Sequence, residues 1–193
     1  MSDSGPTVEN TGREEIHHRQ IDVRFYRRGD GLFEIEGRLV DTKTDSFRRQ
    51  LASEDTPPGV ALHDIVVRLV IDEAMQVHDA SAFMIATPFA VCRGATDTLA
   101  QLNGLRISSG WTKRVRELLG GVNSCTHIAE LLGPMATTAF QGLAPQRLAR
   151  LNEPGNEQQR LGKVNSCYAY AAEREVVAQL WPHLHRPRPV DLT

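Results

Sequence analysis

The period of the apolar residues changes once along this chain, at Pro88, and that change limits the folds open to it. Between residues 20 and 86 apolar and polar residues alternate, which is the period of half-buried β-strands. Beyond Pro88 apolar residues recur every three to four positions, which is the helical period. Strands first and helices afterwards predict an α+β fold, with an antiparallel sheet over residues 20–86 packed by helices between residues 96 and 183.

Two β-hairpins are predicted in the first half of the chain. The first has its turn at Arg28-Gly29-Asp30-Gly31, and the second, from Ile65 to Ala86, turns near Asp72-Glu73-Ala74. Short turn segments between alternating runs are typical of hairpins. The polar segment 41–59, which contains Pro57-Pro58, is predicted to connect them. Four strands joined mainly by short turns favour an antiparallel sheet.

Four helices are predicted in the second half. They cover residues 96–103, 111–119, 128–140 and 173–181, and Gly120-Gly121 is expected to end the second of them. A polar stretch, residues 152–163, precedes the fourth of these helices. The N-terminal sheet and the C-terminal helical half together form the predicted architecture.

The two ends of the chain differ in composition from its middle. Residues 1–15 are polar and acidic and are predicted to be a disordered arm, while residues 186–193 form a Pro-rich tail. Residues 16–185 are predicted to fold as a single α+β domain, which is long enough to bury a core.

Charge and hydropathy exclude several classes of partner. The net charge is −2 with histidines neutral, and no basic cluster suited to nucleic acid is present. No apolar run approaches the ~20 residues of a membrane span, and the N-terminus lacks the apolar region of a signal peptide. A cytoplasmic protein with a small-molecule substrate is therefore expected. The sequence contains no nucleotide cofactor motif, and a homo-oligomer is left open. Its three cysteines are expected to be reduced.

The three cysteines are predicted to lie where one element ends and another begins. Cys92 follows the last strand, and Cys125 begins a helix within Asn123-Ser124-Cys125-Thr126-His127, where the helix dipole favours a thiolate. Cys167 ends a second Val-Asn-Ser-Cys segment. Since thiolates and imidazoles bind zinc or iron, all three cysteines are predicted metal ligands, at least two of them in one cluster. Three small buried hydrophobic residues are the alternative.

Two histidines and an aspartate complete the candidate site. His63 and Asp64 open the second hairpin, where either is a candidate metal ligand or general base, and Asp64 is alternatively a turn cap. His127 follows Cys125 by two residues. It is therefore predicted to be a ligand in the same metal site, or the base that activates a cysteine nucleophile without any metal.

The polar face of the first hairpin carries many charges. Its side chains are Asp22, Arg24, Tyr26, Glu34, Glu36 and Arg38, with Asp41 and Lys43 expected just beyond. If helices cover this face, then Arg24, Tyr26, Glu36 and Arg38 would line a substrate cavity, in which an arginine binds a carboxylate in bidentate fashion. The alternative is a solvated face with cross-strand ion pairs.

Several short motifs resemble a known bacterial family. They are Arg27-Arg28-Gly29-Asp30-Gly31-Leu32, Ile35-Glu36-Gly37-Arg38-Leu39, Asp41-Thr42-Lys43, His63-Asp64, Gly110-Trp111, Leu119-Gly120-Gly121 and Cys125-Thr126-His127. Over about residues 16–181 the chain resembles the family named domain of unknown function 2889. Cys167-Tyr168-Ala169 departs from the Cys-His-Ala of that family. The family's gene neighbourhoods imply a role in the breakdown of aromatic or acyl compounds.

The chain also resembles, more distantly, the NifU/IscU type of iron–sulfur scaffold. Asp64, Cys92 and Cys125 match the Asp and the later two Cys of that fold. Its first Cys has no counterpart, and its His precedes the last Cys, whereas His127 follows Cys125. The resemblance implies a NifU/IscU-like fold and a role in holding a metal or an iron–sulfur cluster.

A metal-dependent enzyme is the leading functional hypothesis. Cys92, Cys125 and a His or Asp would hold a mononuclear zinc or iron, and an open position on the ion would support lyase or hydrolase chemistry. One alternative is a non-catalytic protein that scaffolds or delivers a metal or an iron–sulfur cluster. The other is a metal-free binding protein with structural cysteines.

Overall fold

The computed structural model describes residues 12–188, so residues 1–11 of the predicted arm and residues 189–193 of the predicted tail lie outside the described residues. The chain divides into two compact units, residues 1–142 and 143–193. The prediction of a single domain over residues 16–185 stays a prediction, because two compact units can belong to one domain or to two.

The first unit contains a four-stranded antiparallel sheet, as the alternating pattern predicts. Its strands are β1 (His17–Arg27), β2 (Phe33–Lys43), β3 (His63–Ile71) and β4 (Val77–Ala86). They lie in the order β1-β2-β3-β4, so each strand pairs with its neighbour in sequence. With the helices that follow, the sheet confirms the α+β fold.

Strand parity determines which face of the sheet is buried. The odd-numbered residues of β2 from Phe33 to Asp41 are all buried, whereas the even-numbered ones are exposed or half-buried. The β1–β2 and β2–β3 pairings keep the same parity, so odd-numbered residues of the three strands share this face. Successive side chains of a strand point to opposite faces, and the apolar odd-numbered residues therefore form the core side of the sheet.

Helices follow the sheet in the first unit. A 3₁₀ segment covers Ala90–Leu102, α1 covers Trp111–Leu119, a short 3₁₀ turn covers Gly121–Asn123, and α2 covers Thr126–Gly142. The predicted helix over residues 96–103 is thus the second half of a longer 3₁₀ segment. The buried face of α2 carries Ile128, Leu131, Leu132, Met135, Ala136 and Ala139.

Close packing places α2 directly on the buried face of β2. Gly37 lies beneath the helix, and a Cβ built there would be 2.9 Å from Met135 Sδ. Glycine therefore permits the close approach of helix and strand. The indole Nε1 of Trp111 in α1 donates a hydrogen bond of 3.0 Å to the carbonyl of Leu132, which ties α1 to α2.

The second unit is helical and has its own small core. It consists of α3 (Ala144–Asn152), α4 (Glu157–Lys163), α5 (Glu175–Leu180) and a 3₁₀ turn at Pro182–Leu184. Leu151, Val177, Trp181 and Leu184 form its core. The predicted last helix is thus confirmed in shortened form.

Most of the polar stretch 152–163, for which no helix was predicted, forms α4. Arg160 stabilises it, since its guanidinium donates to the carbonyls of Leu151 and Glu153 and pairs with Glu157. These contacts lie outside any apolar pattern, so the helical period does not show them. Within residues 12–188, none of the helices has the length and apolar character of a membrane-spanning segment.

Candidate metal centre

A row of polar side chains crosses three strands at one end of the buried face. Arg19 on β1 pairs in register with Asp41 on β2, and Asp41 pairs with His63 on β3. All three are odd-numbered, so their side chains share the face that carries the core. His17 lies one position further along this face of β1. The sheet thus brings together four polar side chains from strands that are distant in sequence.

The first turn of α2 covers this row. His127 and Glu130 are three residues apart, which places them on the same side of the helix. The rings of His63 and His127 lie against each other, with centroids 3.8 Å apart and planes inclined by 34°. Arg19 Nη1 donates a hydrogen bond of 2.7 Å to Glu130 Oε2, so β1 is also linked to the helix.

Asp41 is the centre of the cluster and is only 1% exposed. Its Oδ1 accepts a hydrogen bond of 2.7 Å from Arg19 Nε, and its Oδ2 accepts one of 2.8 Å from Arg19 Nη2. His17 Nε2 lies 3.2 Å from Oδ1, His63 Nδ1 lies 3.0 Å from Oδ2, and His127 Nε2 lies 3.7 Å from Oδ2. The buried carboxylate is therefore fully paired, as a buried charge must be.

The surroundings of Asp41 keep it ionised. Burial raises the pKa of this carboxyl, but the hydrogen bond and charge of Arg19, with the hydrogen bonds of His17 and His63, outweigh burial and lower the pKa to about 2. Arg19 in turn has its pKa raised, chiefly by its hydrogen bond with Asp41. The cluster consequently offers an anionic oxygen at any physiological pH.

His127 favours its neutral form. Burial lowers the pKa of its imidazole, and the nearby His63 and Arg19 lower it further. The charges of Asp41 and Glu130 raise this pKa, but by less. A neutral imidazole is the form that binds a metal or accepts a proton. The two ring nitrogens face different groups, since Nε2 points to Asp41 while Nδ1 lies 3.7 Å from Cys125 Sγ.

The arrangement matches a metal site of three protein ligands. One ligand atom from each of Asp41, His63 and His127 lies within 4.8 Å of the other two. Metal–ligand bonds of about 2.0–2.2 Å place neighbouring ligand atoms roughly 2.8–3.6 Å apart in tetrahedral or octahedral sites. The distances of 3.0 and 3.7 Å from Asp41 Oδ2 to the two imidazoles are close to that range.

The predicted site residues are only partly brought together. His63 and His127 belong to the cluster, whereas Asp64 points to the opposite face of β3. There Arg38 Nε and Nη2 donate hydrogen bonds of 2.8 and 2.7 Å to its two oxygens. Asp64 is therefore held in a bidentate ion pair, and its role as a ligand or base stays a prediction.

The cysteines contribute less to the cluster than predicted. All three are free thiols, and the group formed by Asp41, His63 and His127 includes none of them. Cys125 contacts the cluster, because its Sγ lies 3.7 Å from His127 Nδ1. Cys92 is half-buried in the 3₁₀ segment, and Cys167 is exposed in the second unit. A metal site that two cysteines share stays a prediction.

The charged face of the first hairpin is solvated and paired. Arg24 binds its neighbour Asp22, and Glu36 binds Arg68 across β2 and β3. Arg38 pairs with Asp64, so Glu36 and Arg38 form the cross-strand pairs described above as the alternative, whereas Arg24 pairs along its own strand and Tyr26 is exposed. Their role in substrate binding stays a prediction.

Asp41 and Arg19 were missed as site residues although a signal was available. Asp41 was expected next to the solvated face, yet it shares its parity with Phe33, Ile35 and Leu39 and so belongs to the buried face. A carboxylate at the end of an apolar row needs partners, and Arg19 has the matching parity on β1. Strand parity alone thus points to both residues.

The fold and the cluster define an α+β protein in which a buried aspartate and one histidine of the sheet meet a second histidine from the first turn of a helix. The chain belongs to the family described as Protein of unknown function (DUF2889), whose model matches residues 17–141. That span contains the whole cluster and all four strands. No curated protein and no solved structure was found to match the chain. The likeness to the NifU/IscU type therefore stays a prediction.

Proposed function

We propose that the chain is a metal-dependent enzyme acting on a small molecule, with Asp41, His63 and His127 as the ligands of one zinc or iron ion. The observation that supports it is the position of Asp41 Oδ2 between His63 Nδ1 at 3.0 Å and His127 Nε2 at 3.7 Å. Two histidines and one carboxylate hold iron in many oxygenases and zinc in many hydrolases.

The number of protein ligands would allow chemistry on the ion. Three ligands would leave at least one coordination position for water or substrate, and the ion would acidify that water or polarise a substrate carbonyl. Lyase or hydrolase chemistry is therefore proposed. His127 Nδ1, which faces Cys125, would carry the proton when Nε2 binds the metal, so Cys125 would orient the ring rather than act as a ligand.

Arg19 would orient Asp41 and keep it ionised without preventing it from binding the metal. A carboxylate has about four lone-pair positions, so Oδ2 can bind a metal while Arg19 donates to both oxygens. The guanidinium also keeps Asp41 ionised, and Glu130 offsets its positive charge. The protein thus presents an oriented anionic ligand with nearly balanced charge around it.

Metal analysis of tag-free protein purified under anaerobic conditions tests this proposal. We expect about one zinc or iron per wild-type chain, and loss of most of it in Asp41→Asn and in His127→Gln, because each removes a ligand. Asp64→Asn is the matched control, since this buried aspartate binds Arg38 instead. Absence of metal from the wild type, or equal loss in Asp64→Asn, would contradict the proposal.

Turnover separates an enzyme from a metal scaffold. The gene neighbourhoods of the resembling family make aromatic and acyl compounds the first substrates to try, in a protein proposed to be cytoplasmic. An enzyme should show turnover that disappears with the ligand variants. A scaffold should bind the metal, release it to a chelator or an apo-acceptor, and turn over none of these compounds.

A metal-free nucleophilic site is the second candidate, and the contacts of His127 favour it. Cys125 Sγ, the two nitrogens of His127 and Asp41 Oδ2 form a chain with both gaps at 3.7 Å, which is the order of nucleophile, base and orienting acid. If this candidate holds, metal-free protein should be alkylated by iodoacetamide at Cys125, and His127→Gln should slow that reaction at least tenfold. An unchanged rate would exclude it.

A further inference from the structure

A groove of about 250 Å³ lies between α1 and α2, and Glu130 lies in its wall. We propose that this groove binds a small carboxylic acid that also carries a hydroxyl or amino group. Such a molecule would be the substrate class of the neighbouring metal centre, and that part of the inference rests on the proposed function. The volume is below that of sites for drug-sized ligands, which suits a small molecule.

Arg116 provides the charge that selects an acid. It lies on the α1 wall of the groove, and its side chain is exposed. Lys113 and Arg114 of the same helix pair with Glu117, whereas no described carboxylate pairs with Arg116. A guanidinium without a partner in a groove attracts a carboxylate, which it binds through two parallel hydrogen bonds.

Glu130 provides the second recognition group and the link to the metal centre. Its Oε2 accepts a hydrogen bond from Arg19, which binds Asp41 through two more. The α2 wall of the groove is therefore separated from the cluster by a single side chain, that of Arg19. A carboxylate there repels the acid group of the ligand and accepts a hydrogen bond from a hydroxyl or an ammonium. The ligand is thereby oriented with its acid at Arg116.

The apolar part of the groove depends on an unusual pair of residues in α2. Gly133 lines the groove without a side chain, and a Cβ built there would meet no atom within 4 Å. Pro134 follows it, and since proline has no amide hydrogen, the carbonyl of Glu130 loses its usual helical donor. Both residues weaken a helix interior, and the missing side chain of Gly133 leaves this wall of the groove open. Val115 and Ala129 provide apolar surface, and Thr112 and Gly120 complete the lining.

Titration with three matched probes, followed by amide shifts in NMR spectra, tests the proposal. The probes are 2-hydroxy-4-methylpentanoate, 4-methylpentanoate without the hydroxyl, and 2-hydroxy-4-methylpentanamide without the charge. We expect the hydroxy acid to shift amides of residues 112–120 and 129–133 and to bind at least tenfold more tightly than either analogue. Absence of such shifts, or equal affinity for all three, would overturn the assignment.

Variants separate recognition from damage to the fold. Arg116→Gln should weaken the hydroxy acid at least tenfold and leave the amide unchanged, while Arg114→Gln, whose charge is paired with Glu117, should change neither. Gly133→Leu and Ala129→Leu should each abolish binding by filling the groove. If both variants fold and still bind the hydroxy acid, the proposal is overturned. Repeating the titration with His127→Gln distinguishes the two proposals, since groove binding should survive loss of the metal.

Discussion

Asp41 lies among side chains from three other elements, β1, β3 and α2, and is almost inaccessible to water. A carboxylate in such a place is stabilised only while its partners remain, because moving it out of water is unfavourable by itself. The two hydrogen bonds from Arg19 that hold Asp41 would also orient it as a ligand, whereas His63 Nδ1 would give up its hydrogen bond to Asp41 in order to bind the ion. At this position stability and function therefore depend on the same two hydrogen bonds from Arg19.

Replacing Asp41 by asparagine should lower the free energy of unfolding by about 2 kcal/mol, because the partly exposed Arg19 would lose its buried, charged partner. Urea unfolding at pH 7 of metal-free protein measures the change. Asp55→Asn is the control, since Asp55 pairs with Arg48 on the surface and should matter by less than about 0.5 kcal/mol. Equal effects of the two variants would contradict the prediction.

The depressed pKa of Asp41 predicts a pH dependence of stability. Its folded-state pKa of about 2 is below the ordinary value of 3.8, so its contribution is complete above about pH 4 and is lost as the pH falls towards 2. In metal-free protein, the stability difference between wild type and Asp41→Asn should shrink over that window. A difference that stays constant from pH 5 to pH 2 would show that Asp41 is not ionised in this way.

At the scale of elements, the position of α2 on the sheet decides whether the cluster forms. The helix supplies His127 and Glu130 at its N-terminus and is fixed at its other end by Gly142, where a Cβ would overlap the ring of Phe25. That ring stacks on Phe33 with centroids 5.3 Å apart. The first turn of α2 thus supplies side chains to the cluster, and its last turn packs closely against β1.

Gly142→Ala should therefore destabilise the protein by about 1–3 kcal/mol, because the added methyl group overpacks the contact with Phe25. Thermal unfolding followed by circular dichroism measures it. Gly162→Ala is the matched control in α4, where an added Cβ meets nothing within 4 Å and alanine is the better helix former by up to about 1 kcal/mol. Destabilisation by both variants would refute this account of α2 packing.

At the scale of the whole molecule, the cluster, the groove and the family match all lie within the first compact unit. The second unit has its own core of Leu151, Val177, Trp181 and Leu184. Each unit therefore has interior contacts of its own, which is the property that lets part of a chain fold by itself.

A fragment of residues 1–142 should consequently fold and bind metal with the stoichiometry of the full chain. Far-ultraviolet circular dichroism reports its folding and metal analysis its occupancy, with the fragment carrying Asp41→Asn as the control that should bind none. An unfolded fragment would show that the second unit is required by the first. A folded fragment without metal would contradict the location of the ligands.

Much of the fold could be predicted from the sequence, but only part of the cluster. Alternation and helical spacing are local signals, and they identified the sheet and α1. His63 and His127 were found because they stand beside Asp64 and Cys125 in short motifs. The cluster itself depends on pairing between β1, β2 and β3, and on the contact of α2 with them, which are not local properties of the chain.

The row from Arg19 through Asp41 to His63 also means that the length of a turn sets the composition of the site. Residues 28–32 connect β1 to β2 in a turn in which the amide of Arg28 donates a hydrogen bond to the carbonyl of Leu32, and the amide of Gly31 donates one to the carbonyl of Arg28. One residue inserted there, if it shifted the pairing by one, would carry His17 and Arg19 to the solvent face and bring His18 and Gln20 opposite β2's buried residues. Relatives that differ in this turn by an odd number of residues should then have to supply the partner of the buried carboxylate from elsewhere.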